Sequence, residues 1–188
     1  MKQKNYSLIG FLIALACCVL AIWVYIQFIN KNPEYLIDNQ TNQVLEMQVN
    51  DNTYTVAPGQ LVTTDRLSRQ ATVRWRTQGS EQWQDEQNIA IEHKRGMFNP
   101  ARKPYFIYAL PYGPGHNIDS IFRSQKTVYN GKTYYGNLKI DSSFYITDYY
   151  YSLTESFPKV TKASENPEFR TKIFREDEFR QFYFQHFE

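Results

Sequence analysis

A run of twenty-one uncharged residues, Leu8–Phe28, constrains this chain of 188 residues more than any other feature. At about 1.5 Å rise per residue, a helix of this length reaches roughly 30 Å, the thickness of a bilayer's hydrocarbon core. Trp23 and Tyr25 stand near the end of the run, where amphipathic rings favour the membrane interface. The run predicts a transmembrane anchor over residues 8–29, preceded by a short N-terminus, residues 1–7.

Three other fates of this segment compete with a retained anchor. A cleavable signal has a shorter apolar stretch and a small-x-small cleavage site, which the run lacks. A type IV prepilin would carry Glu where Leu15 stands. A lipoprotein anchored at Cys18 would normally have Gly, Ala or Ser before the modified cysteine, where this chain has Cys17. We expect a retained helix and keep lipidation at Cys18 as the alternative.

The charges that flank the run predict its orientation. Lys2 and Lys4 precede it, whereas Lys31 is soon offset by Glu34 and Asp38. Because positive charge stays on the cytoplasmic side, the N-terminus is expected in the cytoplasm and residues 30–188 outside. In a bacterium, this means a periplasmic domain on a single-pass anchor in the inner membrane.

The composition of the exported part excludes several classes of function. Residues 31–188 contain 19 basic and 19 acidic residues, because Lys2 and Lys4 are the only basic residues before them. A neutral balance gives no basis for nucleic-acid binding. Both cysteines, Cys17 and Cys18, lie in the anchor, so the exported domain has no disulfide, which fits a bacterial envelope better than an animal extracellular domain.

Alternating residues predict a mainly β domain. In Ala71–Arg76 the residues Ala71, Val73 and Trp75 fall on one face, and Thr72, Arg74 and Arg76 on the other. The segment from Val44 to Val49 alternates in the same way, and polar turns separate these short strands. We therefore expect an antiparallel β-sandwich-like domain.

The stretch NQTNQVLEMQVNDNTYTVAPGQ combines a turn, an alternating strand, a polar turn and a Tyr-Thr-Val strand that ends in Pro-Gly. In this order of elements, residues 34–92 resemble the PEGA-like β-sandwich modules found behind bacterial membrane anchors. The Pro-Glu-Gly-Ala sequence of those modules is absent. The resemblance implies a sandwich fold and a role in adhesion or scaffolding.

Two signals describe the last third of the chain. Asn130-Gly131 between two β-prone runs predicts a hairpin, because a type I′ turn needs positive φ at both central positions. Asn166, Pro167 and Glu168 supply an N-cap, an N1 proline and an early acid, and aromatic residues follow at helical spacing. A C-terminal helix over residues 166–187 is expected to dock on the sheet.

Two sets of residues are candidates for a binding surface. The segment KRGMFNPARK is basic without a compensating acid, and the tyrosine-rich segments resemble aromatic platforms that stack on sugar rings. His116, in the Gly- and Pro-rich PYGPGH, is the histidine that a loop would expose. The candidate residues are Lys94, Arg95, Arg102, Lys103, His116, Tyr134, Tyr135, Tyr149 and Tyr151.

Catalytic signals are scarce. The three histidines are far apart, and we find no metal-ligand spacing, no nucleophile motif and no phosphate-binding loop. We therefore expect no cofactor, no metal site and no enzymatic activity. The first hypothesis is an anchored envelope protein that binds another protein as a scaffold, an accessory factor or a toxin-immunity protein. The alternatives are a glycan or peptidoglycan binder, which needs exposed tyrosines, and an envelope hydrolase.

Overall fold

The computed structural model describes residues 6–25, 33–112, 125–156 and 168–187. The chain divides into two compact units, Met1–Pro33 and Glu34–Glu188. The first unit contains helix α1, Tyr6–Val24, whose large apolar side chains from Phe11 to Val24 are exposed. Within the described part of the chain, no helix has both the length and the apolar character needed to cross a membrane. The anchor over residues 8–29 therefore stays a prediction.

The second unit is mainly β and ends in helix α2, Glu176–Phe187. Its described strands are β1 Glu34–Asp38, β2 Leu45–Val49, β3 Asn52–Val56, β4 Leu61–Thr63, β5 Gln70–Thr77, β6 Gln87–Ala90, β7 Arg95–Phe98, β8 Tyr105–Tyr112, β9 Lys126–Tyr129, β10 Lys132–Tyr135, β11 Asn137–Asp141, β12 Tyr145–Ile146 and β13 Glu168–Arg175.

These strands form three sheets and one hairpin. Sheet A has the order β12-β7-β1-β4, sheet B the order β3-β2-β5-β6, and sheet C the order β11-β8-β13. Strands β9 and β10 pair as the hairpin predicted from Asn130-Gly131, and both turn residues have positive φ, 49° and 76°. The mainly β prediction is confirmed.

One strand pair departs from the predicted antiparallel arrangement. Strands β1 and β7 run parallel, with Tyr35 opposite Gly96 and Ile37 opposite Phe98. The chain between them builds β4 and the whole of sheet B before it returns to lie beside β1. Because a long crossover connects the two strands, they can run in the same direction, which a hairpin would not allow.

Sheet A is buried on both faces, so the three sheets form layers. Tyr35 and Ile37 of β1 pack with Met47 and Val73 of sheet B in one apolar core. Leu36, which points the opposite way, packs in a second core with residues of sheet C. The sandwich character predicted from the alternation is therefore present, with sheet A between sheets B and C.

The outer face of sheet C is covered by α2 and the hairpin. The residues of this third core are mostly aromatic, and Phe179 of α2 stacks on Phe106 of β8 with ring centroids 4.9 Å apart. The hydroxyl oxygen of Tyr183 on α2 accepts a hydrogen bond from the Tyr135 N–H of the hairpin at 2.8 Å. The predicted docking of the C-terminal helix on the sheet is confirmed.

The predicted bounds of that helix, residues 166–187, are wrong for residues 168–175. These residues form β13, which pairs with β8 along its whole length. Ile173 is buried in the core towards sheet A, and Phe174 is buried in the core towards α2. Eight ladder pairs and burial on both faces outweigh the local helix-start signal. Asn166 and Pro167 lie outside the described residues.

A buried ion pair connects the two ends of the second unit. Asp38, at the end of β1, is 0% exposed. Arg175, at the end of β13, donates from Nε to Asp38 Oδ2 at 2.9 Å and from Nη2 to Asp38 Oδ1, and Tyr105 donates its hydroxyl proton to Asp38 Oδ2. The hydrogen bonds to Asp38 raise the pKa of Arg175 above its ordinary value. These contacts fix β13 against β1.

Candidate interaction surface

The outer face of sheet B presents polar side chains to solvent. Because side chains alternate along a strand, the burial of Met47 and Val73 places Glu46, Gln48, Arg74 and Arg76 on the opposite face. The antiparallel register sets Glu46 opposite Arg76 and Gln48 opposite Arg74. The exposed side chains of Thr55 and Thr53 continue these two rows on β3.

Each row is joined by a hydrogen bond from a guanidinium. Arg76 donates from Nε to Glu46 Oε2 at 2.7 Å, and from Nη1 to the Ser80 carbonyl at 3.0 Å. Arg74 donates from Nε to Gln48 Oε1 at 2.8 Å. Both arginine side chains are therefore held in one orientation before any partner binds.

Trp83 lies over both arginines. The connection between β5 and β6 folds back along β5, where Gln84 N–H donates to the Trp75 carbonyl at 2.8 Å. This places the Trp83 ring 4.7 Å from the Arg74 guanidinium and 4.5 Å from that of Arg76, while the ring stays partly exposed. We call the group formed by Glu46, Gln48, Arg74, Arg76 and Trp83 the Trp83 surface.

The Trp83 surface has the residue types that dominate binding energy at protein interfaces. Truncation of Trp and Arg side chains at such interfaces is among the most costly, and an indole that stacks on guanidiniums restricts their motion. The alternation of Ala71–Arg76 correctly predicted that Arg74 and Arg76 face water. In contrast, no signal in the sequence predicted the stacking of Trp83 on these arginines.

The basic segment does not form one patch. Lys94 and Arg95 lie at the start of β7, whereas Arg102 and Lys103 follow its end, where Asn99 accepts the Lys103 N–H at 3.1 Å. Lys94 and Lys103 are exposed, and the exposed Arg102 lies 5.5 Å from the ring of Phe144. The strand separates the four side chains that the sequence had grouped.

Arg95 is not a surface residue. Its side chain is 14% exposed and forms ion pairs with Glu155 at 2.5 Å and Glu34 at 3.7 Å. It also donates from Nη1 to the Tyr150 carbonyl at 2.9 Å. Its acidic partners are distant in sequence, so the prediction of a free cation at this position is wrong.

The tyrosine platform is wrong for two of its four residues. Tyr134 and Tyr149 are buried, because the hairpin turns Tyr134 towards Tyr183 of α2, 5.1 Å away between ring centroids, and Tyr149 packs between sheets A and C. Burial, followed by the charge of Glu34, raises the pKa of Tyr149 above its ordinary value. Tyr135 is 42% exposed and Tyr151 is half-buried.

His116 lies outside the described residues. Within the ranges that the structure describes, no group of His, Cys, Asp and Glu side chains is placed to hold a metal ion. Comparisons with protein-family models, curated proteins and solved structures gave no match to this chain. The PEGA-like resemblance therefore stays a prediction, and the geometry of the second unit carries the functional argument.

Proposed function

We propose that this chain is a single-pass membrane-anchored envelope protein whose β-rich domain binds another protein through the Trp83 surface, without catalysis. The scaffold, accessory and toxin-immunity roles all need an anchor and a binding face. The partner surface predicted from the sequence, centred on the basic segment and the tyrosines, is replaced in this proposal by the outer face of sheet B.

The anchor part of the proposal rests on the uncharged run Leu8–Phe28. The run continues beyond α1, and the apolar side chains that the structure describes on α1 are exposed, among them Phe11, Ile22 and Trp23. A helix that is apolar all round is stable only where an apolar medium covers it. The lysines before the run favour a cytoplasmic N-terminus and a periplasmic second unit.

The proposal that this domain binds a partner rests on the stacking of Trp83 on two oriented arginines. Solvent-exposed side chains usually lose conformational entropy on binding, and that loss weakens the complex. Here the cross-strand hydrogen bonds and the indole have already ordered Arg74 and Arg76. A partner that docks on this surface gains contacts with a smaller loss of side-chain entropy.

The test is capture of a partner from membranes by the full-length chain. Membranes that contain the wild type, Trp83→Ala or Phe184→Ala are treated with a chemical crosslinker, and the adducts are purified and identified by mass spectrometry. Phe184 is the matched control, because it is an aromatic residue, 63% exposed, on α2.

We expect a protein adduct that Trp83→Ala reduces at least tenfold and Phe184→Ala leaves unchanged. An adduct that depends on Phe184 and not on Trp83 would contradict the proposal. So would the recovery of no protein adduct together with sedimentation of the chain with purified peptidoglycan, which would favour the glycan alternative.

A further inference from the structure

The two arginines of the Trp83 surface differ in their charge partners. Arg76 pairs with a carboxylate, Glu46, across the strand. Arg74 occupies the equivalent position in the next row, and its cross-strand neighbour is Gln48, which accepts a hydrogen bond but carries no charge. One guanidinium is therefore neutralised within the domain, and the other is oriented but keeps its positive charge.

Among the residues of the second unit that the structure describes, no carboxylate forms an ion pair with Arg74. The connection that carries Trp83 contains three exposed acids, Glu81, Asp85 and Glu86. In the described part of the second unit, none of them forms an ion pair with Arg74. The Nε of Arg74 is bonded to Gln48 and one face of its guanidinium is covered by Trp83, so its Nη atoms remain to be approached from solvent.

We infer that the protein partner presents one carboxylate, from an Asp or Glu side chain, to the Nη atoms of Arg74. This inference rests on the proposed function, because it names the chemistry that the Trp83 surface recognises. A guanidinium fork held in place matches a carboxylate in geometry and charge. The acids Glu81, Asp85 and Glu86 repel a strongly acidic segment, so the carboxylate is surrounded by neutral or basic side chains of the partner.

A nearly isosteric substitution at Gln48 tests the carboxylate inference. Gln48→Glu places a carboxylate beside Arg74 within the domain, in the same arrangement that Glu46 already forms with Arg76. The added acid neutralises Arg74 and competes with the carboxylate of the partner. Gln125→Glu is the matched control: it makes the same substitution at an exposed glutamine that precedes β9 and lies outside the Trp83 surface.

The experiment uses the full-length chain in its native membranes, with the photo-crosslinking residue p-benzoylphenylalanine at Thr53. This position is exposed and lies in the row of Gln48 and Arg74. The yield of the protein adduct is compared among the wild type and the Gln48→Glu, Gln125→Glu and Trp83→Ala variants. Thermal unfolding of each purified variant shows whether the domain stays folded.

We expect Gln48→Glu to lower the yield of the adduct at least tenfold while its melting temperature equals or exceeds that of the wild type, and Gln125→Glu to keep the adduct. If Trp83→Ala abolishes the adduct and Gln48→Glu does not, the carboxylate inference is overturned and the proposed function stands. Retention of the adduct in all variants, or the absence of an adduct in the wild type, would overturn both the carboxylate inference and the proposed function. An adduct with a second copy of this chain or with glycan would overturn the assignment of the partner.

Discussion

The outer faces of sheets B and C show two ways to complete a layered β domain. The face of sheet C is aromatic and is covered by α2 and the hairpin, which bury Phe106, Tyr108 and Phe174. The face of sheet B is polar and carries Arg74, Arg76 and Trp83 in contact with solvent.

Under the proposed function, this difference separates the residues that stabilise the domain from those that bind the partner. Aromatic burial on sheet C supplies free energy of folding and leaves those rings unable to contact a partner. The ordered polar side chains on sheet B contribute little to folding, because exposed ion pairs and cation–π contacts are weak. Substitutions on the two faces should therefore affect different measurements.

The largest effect on folding is expected from Phe179→Ala, on the covered side. The Phe179 ring is 0% exposed and lies 4.9 Å from Phe106 and 5.2 Å from Tyr134. Its removal leaves a cavity and lowers the free energy of unfolding by about 3–5 kcal/mol. Urea titration of the full-length chain in detergent measures this value, and a loss below about 1 kcal/mol would show that α2 is not part of the core.

Asp38→Asn should cause the next largest loss in the free energy of unfolding. The substitution removes the buried carboxylate that accepts hydrogen bonds from Arg175 and Tyr105. Breaking a buried pair on one side leaves the other charge unpaired, so we expect a loss of about 3 kcal/mol. Double-mutant analysis with Arg175→Met gives the coupling energy, and additive losses would contradict a direct pair.

Lys172→Met should lower the free energy of unfolding by a smaller amount, about 1–3 kcal/mol. The buried Lys172 donates from Nζ to the carbonyls of Ser152 at 2.8 Å and Glu155 at 2.6 Å, and methionine leaves both without this donor. The effect should also depend on pH. Burial lowers the pKa of Lys172 below its ordinary value of 10.5, so the unfolded chain holds this proton at a pH where the folded chain has released it.

For this reason, the advantage of the wild type over Lys172→Met should grow as the pH rises towards 10.5. Unfolding titrations of both proteins at several alkaline pH values measure the difference. A difference that shrinks over this range would mean that the pKa of Lys172 is raised in the folded state.

The smallest effect on folding is expected on the open side. Trp83→Ala should lower the free energy of unfolding by less than about 2 kcal/mol, because it removes two cation–π contacts that contribute about 0.5–1 kcal/mol each at an exposed site. The same urea titration measures it. A loss of 3 kcal/mol or more would assign Trp83 to the core and remove the contrast between the two faces.

Much of the layering could be predicted from the sequence. The alternation in Ala71–Arg76 correctly predicted the inward face of β5: Ala71 and Val73 are buried, and Trp75 packs partly buried against the same core. The uninterrupted apolar Tyr35-Leu36-Ile37 is typical of a strand buried on both sides, and β1 is such a strand.

The errors arose where distant contacts decided the outcome. The helix prediction fails for residues 168–175, because a helix-start signal is local whereas the pairing of β13 with β8 joins residues about sixty positions apart. The Trp83 surface needs the register of β2 with β5, together with a connection that folds back along β5. Single-sequence patterns do not specify either. The burial of Tyr134 likewise depends on α2.

Hydroxyl-radical footprinting of the full-length chain tests the central claim most directly. Side-chain oxidation is compared between the chain in its native membranes and the chain purified in detergent, with Trp83 and Phe184 followed by mass spectrometry. We predict that Trp83 is at least several-fold less oxidised in membranes, where the proposed partner would cover it, and that Phe184 is equally oxidised in both. Equal oxidation of Trp83 in the two samples, or protection of Phe184 instead, would contradict the assignment of sheet B as the binding face.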